Sequence, residues 1–241
     1  MGIFALNTYS GLDYWNNLHL KSKACVYIIV NFKHKQTQMN NWIKHPTILK
    51  GQLIDLIPMD ESHFDELLIL SQDKRIWEFY PVDGSNTEKL LIAYKNALIE
   101  KEKGNHYPFV IFNKQTGKLI GSTRLFEINQ KNKNIEIGWT WLHPNYWASG
   151  VNFECKLLLM TFCFETLGTI RVQLKTRDNN LRSRKAIEKI GGKFEGILRK
   201  DRIRDNGEVR NSAYYSILDD EWKNVKQNLE QKIYEKTKTY L

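Results

Sequence analysis

The sequence predicts an α+β fold, a mixed and mostly antiparallel sheet with helices on both faces in a three-layer αβα arrangement. Three observations predict it. Strand-like runs in the first half are separated by short polar turns, "KQTG" and "NQKNKN", at hairpin spacing. A strand, a long apolar helix and a second strand follow in mid-chain, which requires a parallel, right-handed crossover. The last third closes with another hairpin, Asn206-Gly207 at its tip, and a basic helix.

Taken in order, "GQLIDLIPM" alternates as a strand, and Asp60 with Glu61 opens a helix through "SHFDELLILSQ". A second helix spans about Thr87 to Lys103, where Leu90, Leu91, Tyr94, Ala97 and Leu98 form a stripe. Three strands follow, "YPFVIFN", "KLIGSTRLFEI" and "IEIGWTWL". In the last, alternation puts Ile135, Ile137, Trp139 and Trp141 on one face and Glu136, Gly138 and Thr140 on the other. Phe153, Leu157, Met160, Phe164 and Leu167 then recur at helical spacing until Gly168. "IRVQLKT" is a strand rich in β-branched and apolar residues. A short helix runs from about Asn180 to Ile190 and closes on Gly191 and Gly192. "KFEGILRKDRIR" and "VRNSAYYSIL" pair as the final hairpin, and "DDEWKNVKQNLEQKIYEK" is a capped terminal helix.

Residues 1–38 read differently, with poor periodicity and no caps. Met39 opens "MNNWIKHPTILKGQLIDLIPM", which reads as a natural beginning, so the expected domain runs over 39–241 behind an upstream extension. A genuine N-terminal arm is the alternative. The net charge is +9 and the pI near 9.3, of which the first 38 residues carry +3. That balance favours an anionic partner. Most of the basic residues alternate with acids, as on a solvated face, which argues against nucleic acid as that partner. No apolar run approaches the roughly 20 residues of a membrane-spanning helix. Of three Cys, Cys155 and Cys163 fall on one helix, about 12 Å apart along its axis, too far for a disulfide. Reduced thiols point to a cytoplasmic protein. No metal-ligand spacing occurs among Cys and His, so no metal is expected.

Three stretches carry chemistry. In "WLHPNYWASGVNFE" a strand ends, a turn holds Pro144 and Gly150, and a helix begins. Free N–H groups at such a start suit a pyrophosphate, Gly150 admits close approach, and Ser149 or Asn152 is placed to cap. An ordinary strand-to-helix loop reads equally well. In "RDNNLRSRKAIEKIGG", Asn179 and Ser183 stand four apart on one helix face, or else Asn179 or Asn180 simply caps that helix. Glu136, beside Gly138, is either an acceptor of an amine proton or a surface acid paired with a base such as Arg124.

With the order of elements, the anion loop and the Asn/Ser helix assembled, the chain resembles the GNAT superfamily of acetyl-CoA-dependent N-acetyltransferases. The segments "IEIGWTWLHPNYW", "FETLGTIRVQLKT", "NNLRSRKAIEKIGGKFEGILR" and "DNGEVRNSAYYSIL" followed by "DDEW" resemble the branch that includes ribosomal-protein N-terminal acetyltransferases. The likeness covers roughly residues 48 to 225. It implies the GNAT fold, with acetyl-CoA lying where the parallel strands part, beyond Trp141 and Lys175, and direct transfer to an amine in a ternary complex. The family's loop carries Arg or Gln, two residues, Gly, one residue, then Gly or Ala. Here those positions hold Trp147, Gly150 and Asn152, so only the central Gly matches. The resemblance implies that Leu142, His143, Trp147, Ala148, Ser149, Gly150, Val151, Asn152, Asn179 and Arg184 bind the cofactor. Leu142 or His143 N–H would polarise the thioester carbonyl, and Glu136 and Ser183 would be catalytic. Arg182, Arg184 and Lys185 either meet the cofactor's 3′-phosphate or form a solvated helix face. Many relatives place a Tyr acid seven residues after the Asn; here that position is Ala186. Trp77, Tyr80 and Arg124 are expected to border the amine acceptor, a peptide or a small molecule. A cofactor-binding protein of the same fold without turnover is the alternative. No membrane partner is expected, and oligomeric state is open, a homodimer included.

Overall fold

A computed structural model of the chain describes residues 42–238; the expectation about Met39 and the segment before it lies outside the described residues. Eight strands form one sheet: β1 (Leu49–Lys50), β2 (Ile54–Pro58), β3 (Tyr107–Asn113), β4 (Lys118–Asn129), β5 (Asn134–Leu142), β6 (Arg171–Arg177), β7 (Lys193–Ile203) and β8 (Val209–Leu218). Their order is β1-β2-β3-β4-β5-β6-β8-β7. Among the described residues only β5 and β6 pair in parallel; the other neighbours are antiparallel. The helices are α1 (Phe64–Leu70), α2 (Thr87–Glu102), α3 (Val151–Thr161), α4 (Leu181–Lys189) and α5 (Asp219–Lys238).

Two apolar layers hold the sheet between them. On one face Phe64 and Leu67 of α1 and Leu90 and Tyr94 of α2 pack against Val110, Leu119 and Trp141. On the other, Val151, Cys155, Leu159 and Met160 of α3 and Trp222, Val225 and Leu229 of α5 cover Ile54, Leu56, Phe109, Ile135, Ile137 and Val172. Burial of each large side chain contributes roughly 1.5–3 kcal/mol. Local chemistry sets the ends. Asn86 caps α2 by accepting from the Lys89 N–H at 3.0 Å, and Asp60 with His63 forms a capping box before α1. Beyond α3, Phe162–Thr166 widens into a π-turn that leaves Phe162, Cys163 and Phe164 all buried.

Strand β5 departs from the predicted alternation. Ser122 pairs with Trp141 but Arg124 with Gly138, so β5 carries one extra residue, and Trp139 sits at φ +50°. This is a β-bulge, and past it every side chain changes face. Trp139 and Trp141 therefore do not share the face of Ile135 and Ile137. Trp139 lies under Arg124, its ring centroid 4.3 Å from the guanidinium carbon, and Trp141 packs on Trp77 in the α1/α2 layer. Thr140 turns toward α3 instead, where Lys156 donates to its hydroxyl at 2.6 Å.

The parallel pair is short. Its rungs are Asn134–Arg171, Ile135–Val172 and Glu136–Gln173. Both strands continue, β5 to Leu142 and β6 to Arg177, so they part after Glu136 and Gln173, earlier than the sequence suggested. Strand β6 turns instead to β8, paired along its whole length from Arg171–Leu218 to Arg177–Ser212.

Candidate functional site

The fork between β5 and β6 opens into a cavity of ≈ 870 Å³. It is lined by the free lengths of both strands, the turn before α3, the first turns of α4, the Phe79–Pro81 segment and the β7–β8 hairpin. One wall is a strand edge. The His143 N–H donates to the Ile120 carbonyl at 2.9 Å. By antiparallel alternation Trp141 also faces β4, and Thr140 and Leu142 turn their peptide groups to the open side. The indole N–H of Trp147 donates to the Leu142 carbonyl at 2.9 Å, and the Tyr80 hydroxyl donates to the Thr140 carbonyl. The N–H groups of Thr140 and Leu142 turn to that same open side. His143, whose N–H is already bonded, is not such a donor.

At the next corner Gly150 caps α3 with φ +92°, a left-handed conformation that favours glycine. Its carbonyl accepts from the N–H groups of Phe153 and Glu154. Ser149 Oγ donates to the Tyr146 carbonyl at 2.7 Å and accepts weakly from the Val151 N–H at 3.4 Å. Among the described residues nothing accepts from the Asn152 N–H, a free donor at the positive end of the helix. Trp147, Ala148 and Asn152 line the cavity; Ser149, Gly150 and Val151 shape the turn behind them. Arg182 of α4 lies over the Trp147 ring at 4.3 Å. A Cβ on Gly150 would stand 3.0 Å from Lys236 Cβ of α5, so the turn is backed by the terminal helix.

The helix α4 is capped by Asn180, whose Oδ1 accepts from the Ser183 N–H at 3.0 Å. Asn180 is buried and lines the cavity with Ser183, whereas Asn179 is exposed in the preceding turn and outside that lining. Arg184 turns away from the cavity. Its Nε donates to the Tyr215 hydroxyl at 2.8 Å and one Nη to the Asp178 carbonyl at 3.2 Å. Arg182, Lys185 and Lys189 are the α4 cations that line the cavity.

Glu136 stands at the point of the fork, buried on the α1/α2 side of the sheet. Its Oε2 accepts from Gln173 Nε2 at 2.7 Å and pairs with Lys175 Nζ at 3.0 Å, not with Arg124. Burial pushes its carboxyl above the usual range, and Lys175 opposes that shift. Tyr80 lines the cavity, while Trp77 is a core residue whose indole N–H donates to the Ser71 carbonyl at 2.8 Å. Arg124 lies behind Trp139, buried, its guanidinium pushed down to about 10 by desolvation.

Sequence reasoning passed over Lys156 and Lys175, both of which line the cavity. Lys156 is a buried ammonium on the sheet-facing side of α3, and burial drives its pKa down. Its one sequence signal is position, four residues after Asn152 and just ahead of the apolar run Leu157–Met160. Among the described residues no His, Cys, Asp and Glu group could hold a metal ion, and no helix is long and apolar enough to cross a membrane.

Comparisons with known proteins agree with this fold. Residues 54–193 match the family model described as an acetyltransferase (GNAT) domain. A Bacillus subtilis protein named "Probable N-acetyltransferase YjcK" is 28% identical over 186 residues, covering 72% of this chain and 99% of its own length. The crystal structure of a GCN5-related N-acetyltransferase from Brucella melitensis superposes with a TM-score of 0.70 at 27% identity, covering 77% of this chain and 84% of that one. RimL, a ribosomal L7/L12 alpha-N-protein acetyltransferase solved with Coenzyme A, shares the fold at 19% identity and a TM-score of 0.61, over 71% of this chain and 98% of that one.

Proposed function

The chain belongs to the acetyltransferase (GNAT) family, and from that premise we propose that it carries acetyl from acetyl-CoA to a primary amine, a protein N-terminus or a small-molecule amine. The observation that carries this reading is the fork, in which β5 and β6 separate after one short parallel ladder and leave the N–H groups of Thr140 and Leu142 facing the gap. An elongated thioester carrier fits there as a surrogate strand, its amides meeting the donors that β6 leaves unused. The free N–H of Asn152, the α3 dipole and the cations Arg182 and Lys185 suit the carrier's diphosphate.

Each residue then has a task. The N–H groups of Leu142 and Thr140 align the carrier arm and polarise the thioester carbonyl, as an oxyanion hole does. Asn180 keeps its amide nitrogen for the carrier while its oxygen caps α4; the role expected of Asn179 falls to this neighbour. Glu136 takes the proton of the attacking amine, directly or through water, because a protonated amine has no lone pair to offer. Its raised pKa makes it a better base than an ordinary carboxylate. The Ser183 hydroxyl donates to the departing thiolate. Tyr80 and Phe79 flank the amine, and Arg124 braces the wall through Trp139. Cys155 and Cys163, buried and unpaired, suit a reducing compartment such as the cytoplasm.

Two measurements test this reading. Acetyl-CoA should bind the chain with a Kd in the micromolar range, roughly −8 kcal/mol, and Gly150→Val should abolish that binding. A panel of peptide N-termini and small amines, followed by CoA release, should contain at least one acceptor that is acetylated. Absence of CoA binding would sink the donor site, and binding without transfer to any amine would sink the transfer.

A further inference from the structure

We propose that the donor site, while it takes acetyl-CoA, binds more tightly an acyl-CoA whose acyl chain ends in a carboxylate, with Lys156 as the counter-ion. This rests on the reading above, that the fork holds a CoA thioester, and adds which thioester the fork prefers.

Lys156 is 6% exposed and lines the cavity. Its ammonium has three donors, of which the structure satisfies one, on Thr140 Oγ1 at 2.6 Å. Thr140 Oγ1 in turn shares a hydrogen bond with Thr123 Oγ1 at 2.7 Å, so two hydroxyls and one ammonium form a polar patch on the α3 side of the fork. Among the described residues no carboxylate forms an ion pair with Lys156. The candidates nearby are committed elsewhere. Glu154, two residues back on the same helix, accepts from the N–H groups of Gln52, Leu53 and Ile54 at 2.6–2.8 Å. Glu136 lies on the opposite face of β5 and is held by Lys175 and Gln173.

A buried cation without a carboxylate costs stability, and a ligand that brings the opposite charge beside it offsets that cost. The carrier's diphosphate is not that charge. It belongs at the N-terminus of α3, and Lys156 is six residues beyond Gly150, roughly 9 Å deeper along the axis. Thr140 is one of the two residues whose peptide groups face the fork, so the ammonium stands beside the reacting end of the carrier. An acetyl methyl would bring neither charge nor acceptor to this patch. A carboxylate at the end of a malonyl- or succinyl-type chain would bring both.

Titration calorimetry of the full chain with CoA, acetyl-CoA and succinyl-CoA at neutral pH tests this. Succinyl-CoA is expected to bind at least about tenfold more tightly than acetyl-CoA. In Lys156→Met that ratio should fall to about one, and in Thr140→Val, which keeps the ammonium, the preference should persist. Equal affinity for the two esters in the unaltered chain overturns the proposal, and that measurement needs no variant to fold. A preference that survives Lys156→Met in a cooperatively melting protein overturns it too. If CoA and both esters fail to bind, the donor-site reading falls and this inference with it. Binding of CoA and acetyl-CoA without a succinyl preference removes the Lys156 role alone.

Discussion

Glu136 and Lys156 are buried on opposite faces of the sheet at β5, and they are treated differently. Glu136, under the α1/α2 layer, has a cation and an amide on its carboxylate. Lys156, under α3, has a single hydroxyl and, among the described residues, no acid. Both are shifted toward their neutral forms by desolvation, Glu136 upward and Lys156 downward. The difference teaches what each is for. A buried charge that the fold itself neutralises can work through small changes in proton affinity. A buried charge left without its opposite is a destabilising element, of the kind a binding site retains for its ligand.

Removing the partner from the paired side should produce the largest effect. Lys175→Met strands Glu136 and is expected to cost about 3 kcal/mol at pH 8, read from denaturant unfolding. The Glu136 pKa is raised in the folded chain, and further so in this variant, so its favourable contribution is present at low pH and lost as pH rises through the folded value. The penalty should therefore shrink between pH 8 and pH 5; a pH-independent penalty would mean that the pair is not electrostatic. Next is Glu136→Gln, which keeps the shape and deletes the base. Turnover should fall on the order of 10²-fold, with acetyl-CoA affinity little changed, as separate kcat and Kd measurements would register. Full turnover would remove Glu136 from the chemistry.

On the unpaired side the sign reverses. Lys156→Met should raise stability at pH 7 by roughly 1 kcal/mol. The lysine's folded pKa is depressed, so its stability contribution is present above its unfolded pKa, near 10.5, and lost as pH falls toward the folded value. The variant's advantage should therefore be largest at neutral pH and fade as pH approaches 10.5, in paired melts across that range. A variant less stable than the parent at pH 7 would show that the ammonium is already well satisfied. The smallest effect separates the adjacent asparagines. Asn180→Ala removes the α4 cap and should cost about 1 kcal/mol while weakening acetyl-CoA binding, and Asn179→Ala should leave both nearly unchanged.

Much of this arrangement was legible in the sequence, and the parts that were not have physical reasons. Turn residues and caps act locally, so the hairpins, the Asn206-Gly207 tip and the helices read almost to the residue. The crossover forced one parallel pair. The bulge at Gly138–Trp139 was invisible because nothing in "EIGWTWL" distinguishes an extra residue from continued alternation; only the register with β4 reveals it. Asn179 and Asn180 are chemically identical, and which one enters the fork depends on where the turn after β6 ends. Arg184 was expected at a phosphate because helix spacing cannot tell a face toward the cavity from one toward Tyr215. Lys156 was overlooked because a lysine in an amphipathic helix ordinarily marks the wet side.

The contact between Gly150 and Lys236 carries a practical lesson. The hinge that opens α3 leans on the closing turns of α5, some 86 positions later in the chain. Shortening the protein ahead of Lys236 would unbuttress that hinge, and loss of coenzyme affinity in so trimmed a form would report on a missing prop rather than on a missing ligand contact.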